Sequence, residues 1–173
     1  MNNGAFINSS AGAQSINVSG DLVVAGGAGG SAGITGPATR LQSIRANNIS
    51  MTNSAGGGIN SVGFILGGHQ DIHALGNVTM TARASGGDLP GVRIGGLSGA
   101  AATATDLTLT VGGDLILTGG TVAGNGVGIG STAAPGPAFA NNITITTGGD
   151  VILNSGVAGS AVRIGSSATT VAC

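Results

Sequence analysis

The sequence predicts an all-β fold, a parallel β-helix (β-solenoid) of about five coils with three short strands in each. Three observations lead there: the composition is wrong for surface helices, three apolar/polar segments recur in a fixed order, and glycine-rich turns separate them.

The chain has 173 residues, 41% of them hydrophobic, which is enough to fill one core. Only 6% are charged and 2% aromatic, 36 are glycine, and the charges are six Asp and five Arg with no Glu or Lys. Exposed helices depend on Glu, Lys, Gln and Arg for propensity and for i,i+4 pairing, whereas Gly, Thr, Ser, Asn, Val and Ile favour strands and tight turns. Collagen would need Gly at every third position, and a disordered chain would combine low hydrophobicity with high net charge. The sequence lacks strict triplet phasing and has a net charge of −1.

The first strand-like segment reads Ile16-Asn-Val-Ser19, Ile49-Ser-Met-Thr52, Val78-Thr-Met-Thr81, Leu107-Thr-Leu-Thr110 and Ile143-Thr-Ile-Thr146. Its period of two buries one face and wets the other. The second follows a Gly-Asp turn in Gly-Asp21-Leu-Val-Val24, Gly-Asp114-Leu-Ile-Leu117 and Gly-Asp150-Val-Ile-Leu153, with weaker forms around Ile59 and at Asp88-Leu89. The third reads Ser31-Ala-Gly-Ile34, Ser61-Val-Gly-Phe64, Gly91-Val-Arg-Ile94, Gly126-Val-Gly-Ile129 and Ala161-Val-Arg-Ile164. A repeat of this length cannot bury its apolar face alone, so each copy has to stack on its neighbours.

Asn47-Asn48, Asn77, Asp106 and Asn141-Asn142 precede the first strand and are expected at a corner, where Asn and Asp bond turn amides through their side chains. Length varies between Pro37 and Asn48 and between Thr132 and Asn142, which reads as protruding loops. Gly4-Ala-Phe-Ile7 matches Ala161-Val-Arg-Ile164, so residues 1–173 read as one solenoid domain, a segment of a longer array whose two ends share a phase.

Ile143-Thr-Ile-Thr-Thr-Gly-Gly-Asp-Val-Ile-Leu153 and Leu107-Thr-Leu-Thr-Val-Gly-Gly-Asp-Leu-Ile-Leu117 resemble the repeats of filamentous-haemagglutinin-type adhesins, as do the Arg-Ile-Gly and Gly-Ile-Gly-Ser turns. The resemblance extends over nearly the whole chain. It implies a right-handed parallel β-helix, secreted or held at a bacterial cell surface, often through two-partner secretion, in a fibre for adhesion or matrix assembly. The expected function is therefore a structural or adhesive fibre module, with itself (head to tail or lateral) and a host or matrix surface as partners.

Candidate sites are few. The outward residues of the first segment, Asn17/Ser19, Ser50/Thr52, Thr79/Thr81, Thr108/Thr110 and Thr144/Thr146, would form a two-column ladder. Such a ladder suits an exposed strand face, and as a flat hydroxyl array it raises the alternative of ice binding. Asp88, Asp114 and Asp150 are expected at one corner of successive coils, where like charges need backbone donors or a cation. His69, Asp71 and His73 follow i, i+2, i+4 spacing, which on a strand puts them on one side as a possible ligand set; in an inserted segment they read better as a solvated loop.

Neither metal nor cofactor is expected, and no catalytic residues are assigned, since the sequence shows no nucleophile elbow, P-loop or Cys–His pair. A polysaccharide-active β-helix enzyme is the remaining alternative. Sparse cations and three Phe without Tyr or Trp disfavour nucleic acid. No run of apolar residues is long enough for a helical membrane span, and Met1-Asn-Asn-Gly4 does not read as a secretory signal, so a mature piece or fragment of an exported protein is expected. Cys173, the one thiol, has no intrachain partner.

Overall fold

The computed structural model describes residues 4–27, 30–54, 62–83, 91–97, 103–123, 126–131 and 141–165. Every regular element among them is a short strand: β1 (Ala5–Asn8), β2 (Gln14–Asn17), β3 (Leu22–Ala25), β4 (Ala32–Thr35), β5 (Leu41–Ala46), β6 (Ile49–Thr52), β7 (Gly63–Leu66) and β8 (His69–Ala74) in the first half. The second half adds β9 (Val78–Thr81), β10 (Val92–Gly95), β11 (Thr105–Val111), β12 (Leu115–Thr118), β13 (Val127–Ile129), β14 (Asn141–Thr147), β15 (Val151–Asn154) and β16 (Val162–Ile164). Every third strand pairs, so the chain winds through three parallel sheets. Sheet A runs β1-β4-β7-β10-β13-β16, sheet B runs β2-β5-β8-β11-β14 and sheet C runs β3-β6-β9-β12-β15.

All ladders are parallel, and this is the expected solenoid. Ala5 pairs with Ala32, then Gly63, Val92, Val127 and Val162 follow in the same column, so the repeat measured along sheet A runs from 27 to 35 residues without disturbing the register. The inward positions form the core: Ile65, Ile94 and Ile129 from sheet A, Ile44, Ile72 and Leu109 from sheet B, and Met51, Met80 and Leu117 from sheet C are fully buried. Period-two alternation makes this possible, since each strand turns one face to the axis and the other outward; in sheets B and C the middle coils leave that outer face partly wet, whereas in sheet A Gly33 and Arg93 are buried on it.

The assignment of segments to sheets departs from the sequence expectation. Ile16, Leu109 and Ile145 belong to sheet B, but Ile49–Thr52 and Val78–Thr81 lie in sheet C, paired with Leu22–Ala25 on one side and Leu115–Thr118 on the other. Alternation alone cannot distinguish two sheets that alternate alike. The sheet B strands of those coils are Leu41–Ala46 and His69–Ala74, which replace Thr with Arg, His and Asp outside and place Gln inside. Part of the expected loop between Pro37 and Asn48 is thus β5, and the supposed insertion around His69 is β8.

A smaller correction concerns β7. Gly63, not Val62, pairs with Ala32, and Ile65 pairs with Ile34, which moves the strand one residue and turns Phe64 outward. A one-residue slip would exchange the inside and outside sets, so the fully buried Ile65 decides the register. The expected weaker segments around Ile59 and at Asp88-Leu89, and residues 132–140 of the second expected loop, lie outside the described residues.

The corner between sheets B and C is a stacked column of Asx residues. The side-chain oxygen of Asp21 accepts the Asn48 amide at 3.1 Å, that of Asn48 accepts Asn77 at 2.8 Å, that of Asn77 accepts Asp114 at 2.8 Å, and that of Asp114 accepts Asp150 at 2.9 Å. Conversely, Leu22, Ile49, Val78 and Leu115 each donate their amide to the carbonyl of the next coil's Asx residue. The expected run of Asn and Asp at a corner is therefore split: Asn48 and Asn77 share the column of Asp21, Asp114 and Asp150, whereas Asp106 and Asn142 sit within sheet B. Glycine precedes this corner because a Cβ at Gly112 would run into the Leu75 carbonyl, and one at Gly148 into that of Gly112. Gly95, Gly130 and Gly165, the ends of the Arg-Ile-Gly and Gly-Ile-Gly turns, have φ of 148°, 130° and 118°, a region that L side chains avoid.

Replacing Ile72 with Ala should lower stability to urea unfolding by about 2–4 kcal/mol, because the buried site cannot collapse around a rigid stack. Asn77→Ala should cost roughly 0.5–1.5 kcal/mol by removing the acceptor for the Asp114 amide. Val23→Thr, on the exposed face of β3, should change stability by less than about 0.5 kcal/mol.

The charged face of sheet B

Sheet B carries the candidate site because its outward face gathers ionisable groups in a chain that has few. Along β8 the side chains alternate, so His69, Asp71 and His73 all point outward while Gln70, Ile72 and Ala74 point in. The register then sets Arg45 of β5 beside His73, and Asp106 of β11 beside His69.

Each histidine is engaged with a neighbouring coil. Nη2 of Arg45 donates to Oδ2 of Asp71 at 3.0 Å, and Nη1 donates to Nδ1 of His73 at 3.0 Å. Guanidinium nitrogens cannot accept, so Nδ1 of His73 is the acceptor and its ring proton sits on Nε2. His69 and Asp106 pair at 2.8 Å between Nδ1 and Oδ2, and the other carboxylate oxygen of Asp106 accepts Nδ2 of Asn142 at 2.9 Å. Here the carboxylate is the acceptor, so His69 donates from Nδ1. Two lateral networks result, Arg45–Asp71–His73 and His69–Asp106–Asn142.

Both networks are wet, with side chains about half exposed. They border an open cleft of about 470 Å³ between Arg40, Leu41, His69, Asp71, Asp106 and Thr108. The half-exposed Leu41 adds apolar surface to this polar lining. Such a surface can make charge-assisted hydrogen bonds of either polarity.

The expected ligand set His69, Asp71 and His73 is brought to one side, but its members turn to Asp106 and Arg45 rather than converge. Among the described residues no three His, Cys, Asp or Glu side chains group to hold a metal ion. Of the corner aspartates, Asp88 lies outside the described residues, and the coil before Asp114 contributes Asn77 to that corner. Asp114 is held by the Asp150 amide, the backbone compensation that a stacked acid requires. The Thr ladder divides between sheets: Thr108/Thr110 and Thr144/Thr146 are adjacent rungs on sheet B, next to Asp71 and His73, while Thr79 and Thr81 lie on sheet C between Ser50/Thr52 and Ile116/Thr118. The uninterrupted Thr-x-Thr array needed to template ice is thus two rungs deep on sheet B.

Arg45 and Asp106 had no place in the sequence-based candidate set, although a signal existed. The only three glutamines occur as Gln14-Ser-Ile16, Gln42-Ser-Ile44 and Gln70-Asp-Ile72, each 28 residues from the next, and they define sheet B. Inside the rod they form a ladder, with Gln42 Nε2 donating to Gln14 Oε1 at 2.8 Å and Gln70 Nε2 to Gln42 Oε1 at 2.7 Å. Aligning on them places Arg45 over His73. Outside sheet B, Arg93 of β10 is 5% exposed, donates from Nη2 to the Gly96 carbonyl at 2.6 Å, and is lowered to about 10 by burial, so it stays charged at neutral pH.

At the Asx corner, the side-chain amide of Asn48 holds Asp21 below the usual carboxylate range; slight desolvation opposes it, and Asn47 and the Asn48 amide add to it. Compared with models of protein families, with curated proteins and with solved structures, the chain matches none of them.

A lowered acid pKa stabilises the fold above the unfolded value, here 3.8, and the contribution vanishes as pH falls through the lower folded value. Acid titration of stability should therefore show a drop below about pH 4 that Asp21→Asn diminishes. A double-mutant cycle on Arg45 and Asp71 should give a coupling of about 0.2–1 kcal/mol, shrinking in 1 M salt as expected of an exposed pair.

Proposed function

We propose that this chain is a structural and adhesive module of a bacterial extracellular or cell-surface fibre. The observation that carries the reading is the continuity of its columns: the aliphatic core and the Asx corner run along one axis from coil to coil, and the interior Gln ladder joins the first three strands of sheet B. Deformation of one coil has to break ladder bonds to both neighbours, which makes a rod stiff. Stacking also leaves the outward faces of sheets B and C for display, and the Gly-Asp and Arg-Ile-Gly corners are those that resemble filamentous-haemagglutinin-type repeats.

On such a rod, the charged face of sheet B supplies the contact surface. Arg45 and Asp71 already form an ion pair and His69 and Asp106 a hydrogen bond, so a partner gains chiefly from rearranging or bridging exposed, hydrated pairs. Contacts of this kind are individually weak and gain strength by repetition along a fibre.

Antibodies raised against the chain should label fibrous material outside intact cells that express it in immunoelectron microscopy. Label confined to the cell interior would overturn the reading.

A further inference from the structure

We propose that the rod holds one water molecule in its interior, between β8 and β11, where the water donates a hydrogen bond to Oε1 of Gln70 and accepts one from the Thr105 hydroxyl. These are the third and fourth strands of sheet B, and the site is on their inner side, away from the charged face. It lies where the glutamine ladder ends.

A column of primary amides is directional, because each Nε2 donates to the Oε1 before it, which leaves a donor at one end and an acceptor at the other. Gln70 donates to Gln42 and Gln42 to Gln14, and at the donor end Nε2 of Gln14 reaches the Thr35 carbonyl at 3.4 Å. The acceptor end is Oε1 of Gln70. Its residue is 3% exposed, and this oxygen meets no donor among the described residues. Reversing the Gln70 amide would set its oxygen against Oε1 of Gln42 and against the Ile65 carbonyl, which now receives Nε2 at 3.4 Å. Leu107 follows Gln70 in the column and offers no side-chain donor. A buried acceptor left unmet is costly, so the end of the ladder calls for a donor from elsewhere.

Thr105 has the complementary need. It is 1% exposed, and its hydroxyl oxygen accepts the Gly96 amide at 2.8 Å. The hydroxyl also carries a proton, and among the described residues no acceptor lies within hydrogen-bonding range of it. The register brings the two groups to one corner. The Gln70 side chain packs along Gly67, where an added Cβ would come 3.3 Å from its Cγ. Leu66 pairs with Gly95, so Gly96 stands over Gly67 in the next coil, and the Gly96 amide is the one that Thr105 holds. Thr105 and Leu107 share the inward face of β11, with Leu107 directly on Gln70. An orphan acceptor and a spare hydroxyl proton thus sit one coil apart without bonding each other, the arrangement that one water bridges. Buried water is stable where it meets two or more polar groups of this kind, whereas a metal cation would need several further oxygen ligands.

A high-resolution crystal structure of the unmodified chain should show a water within hydrogen-bonding distance of both Oε1 of Gln70 and Oγ1 of Thr105. In solution, the Leu107 methyls, which are shielded from bulk solvent, should give nuclear Overhauser cross-peaks at the water frequency. Leu107→Gln supplies the missing donor from the chain itself: the introduced amide continues the ladder, and the open acceptor moves on to the level of Ile143, which is only partly buried. In a crystal structure of that variant the water should be gone and Oε1 of Gln70 should accept from the new side chain. A dry contact between Gln70 and Thr105 in the unmodified chain, silent Leu107 methyls, or a water that persists in Leu107→Gln would overturn the proposal. Should the variant fail to fold, the two measurements on the unmodified chain decide the matter.

Discussion

Each position in this protein must be compatible with the residue that occupies the same place one coil away. That requirement follows from in-register parallel pairing, in which side chains of equivalent residues stack about 4.8 Å apart along the axis. It accounts for most of the composition. Aliphatic residues stack on aliphatic ones, glutamine on glutamine, and Asn or Asp on Asn or Asp, because each of these pairs is satisfied by self-association. Glycine recurs where a neighbouring coil's backbone comes too close for a Cβ.

Self-compatible stacking also explains how the coils vary in length while the strands remain aligned. A 27-residue coil and a 35-residue coil share the same three strands, and the extra residues go into the connections between sheets. The corner between sheets B and C is short in every coil, and there the Asx column carries the register. A ladder of this type is exposed yet periodic, so each amide that leaves one sheet is met before the next begins.

Sheet B is where the general rule is relaxed. Its inner face swaps Gln for Leu between β8 and β11, and its outer face changes from Ser and Asn through Arg, His and Asp to Thr. Polar partners meet along the axis here, Arg45 in an ion pair with Asp71 and His69 hydrogen-bonded to Asp106, which turns a stacking problem into two lateral networks. The chain therefore combines a largely aliphatic interior with one chemically distinctive face.

By itself, the sequence determined the fold class, the three strands per coil, the period and the equivalence of Gly4–Ile7 with Ala161–Ile164, now seen as β1 and β16 of one sheet. Composition and local alternation are enough for that, since both are properties of each coil separately. Only the tertiary structure decided which segment belongs to which sheet, that β5 and β8 are strands, that Phe64 faces out and Ile65 in, and that His69 and His73 answer to Asp106 and Arg45. The physical reason is that a period of two says which side of a strand is wet but nothing about which neighbour lies beside it. That choice depends on burial summed over the whole stack, where one buried Ile65 and a ladder of three glutamines outweigh the resemblance of one Thr-x-Thr segment to another.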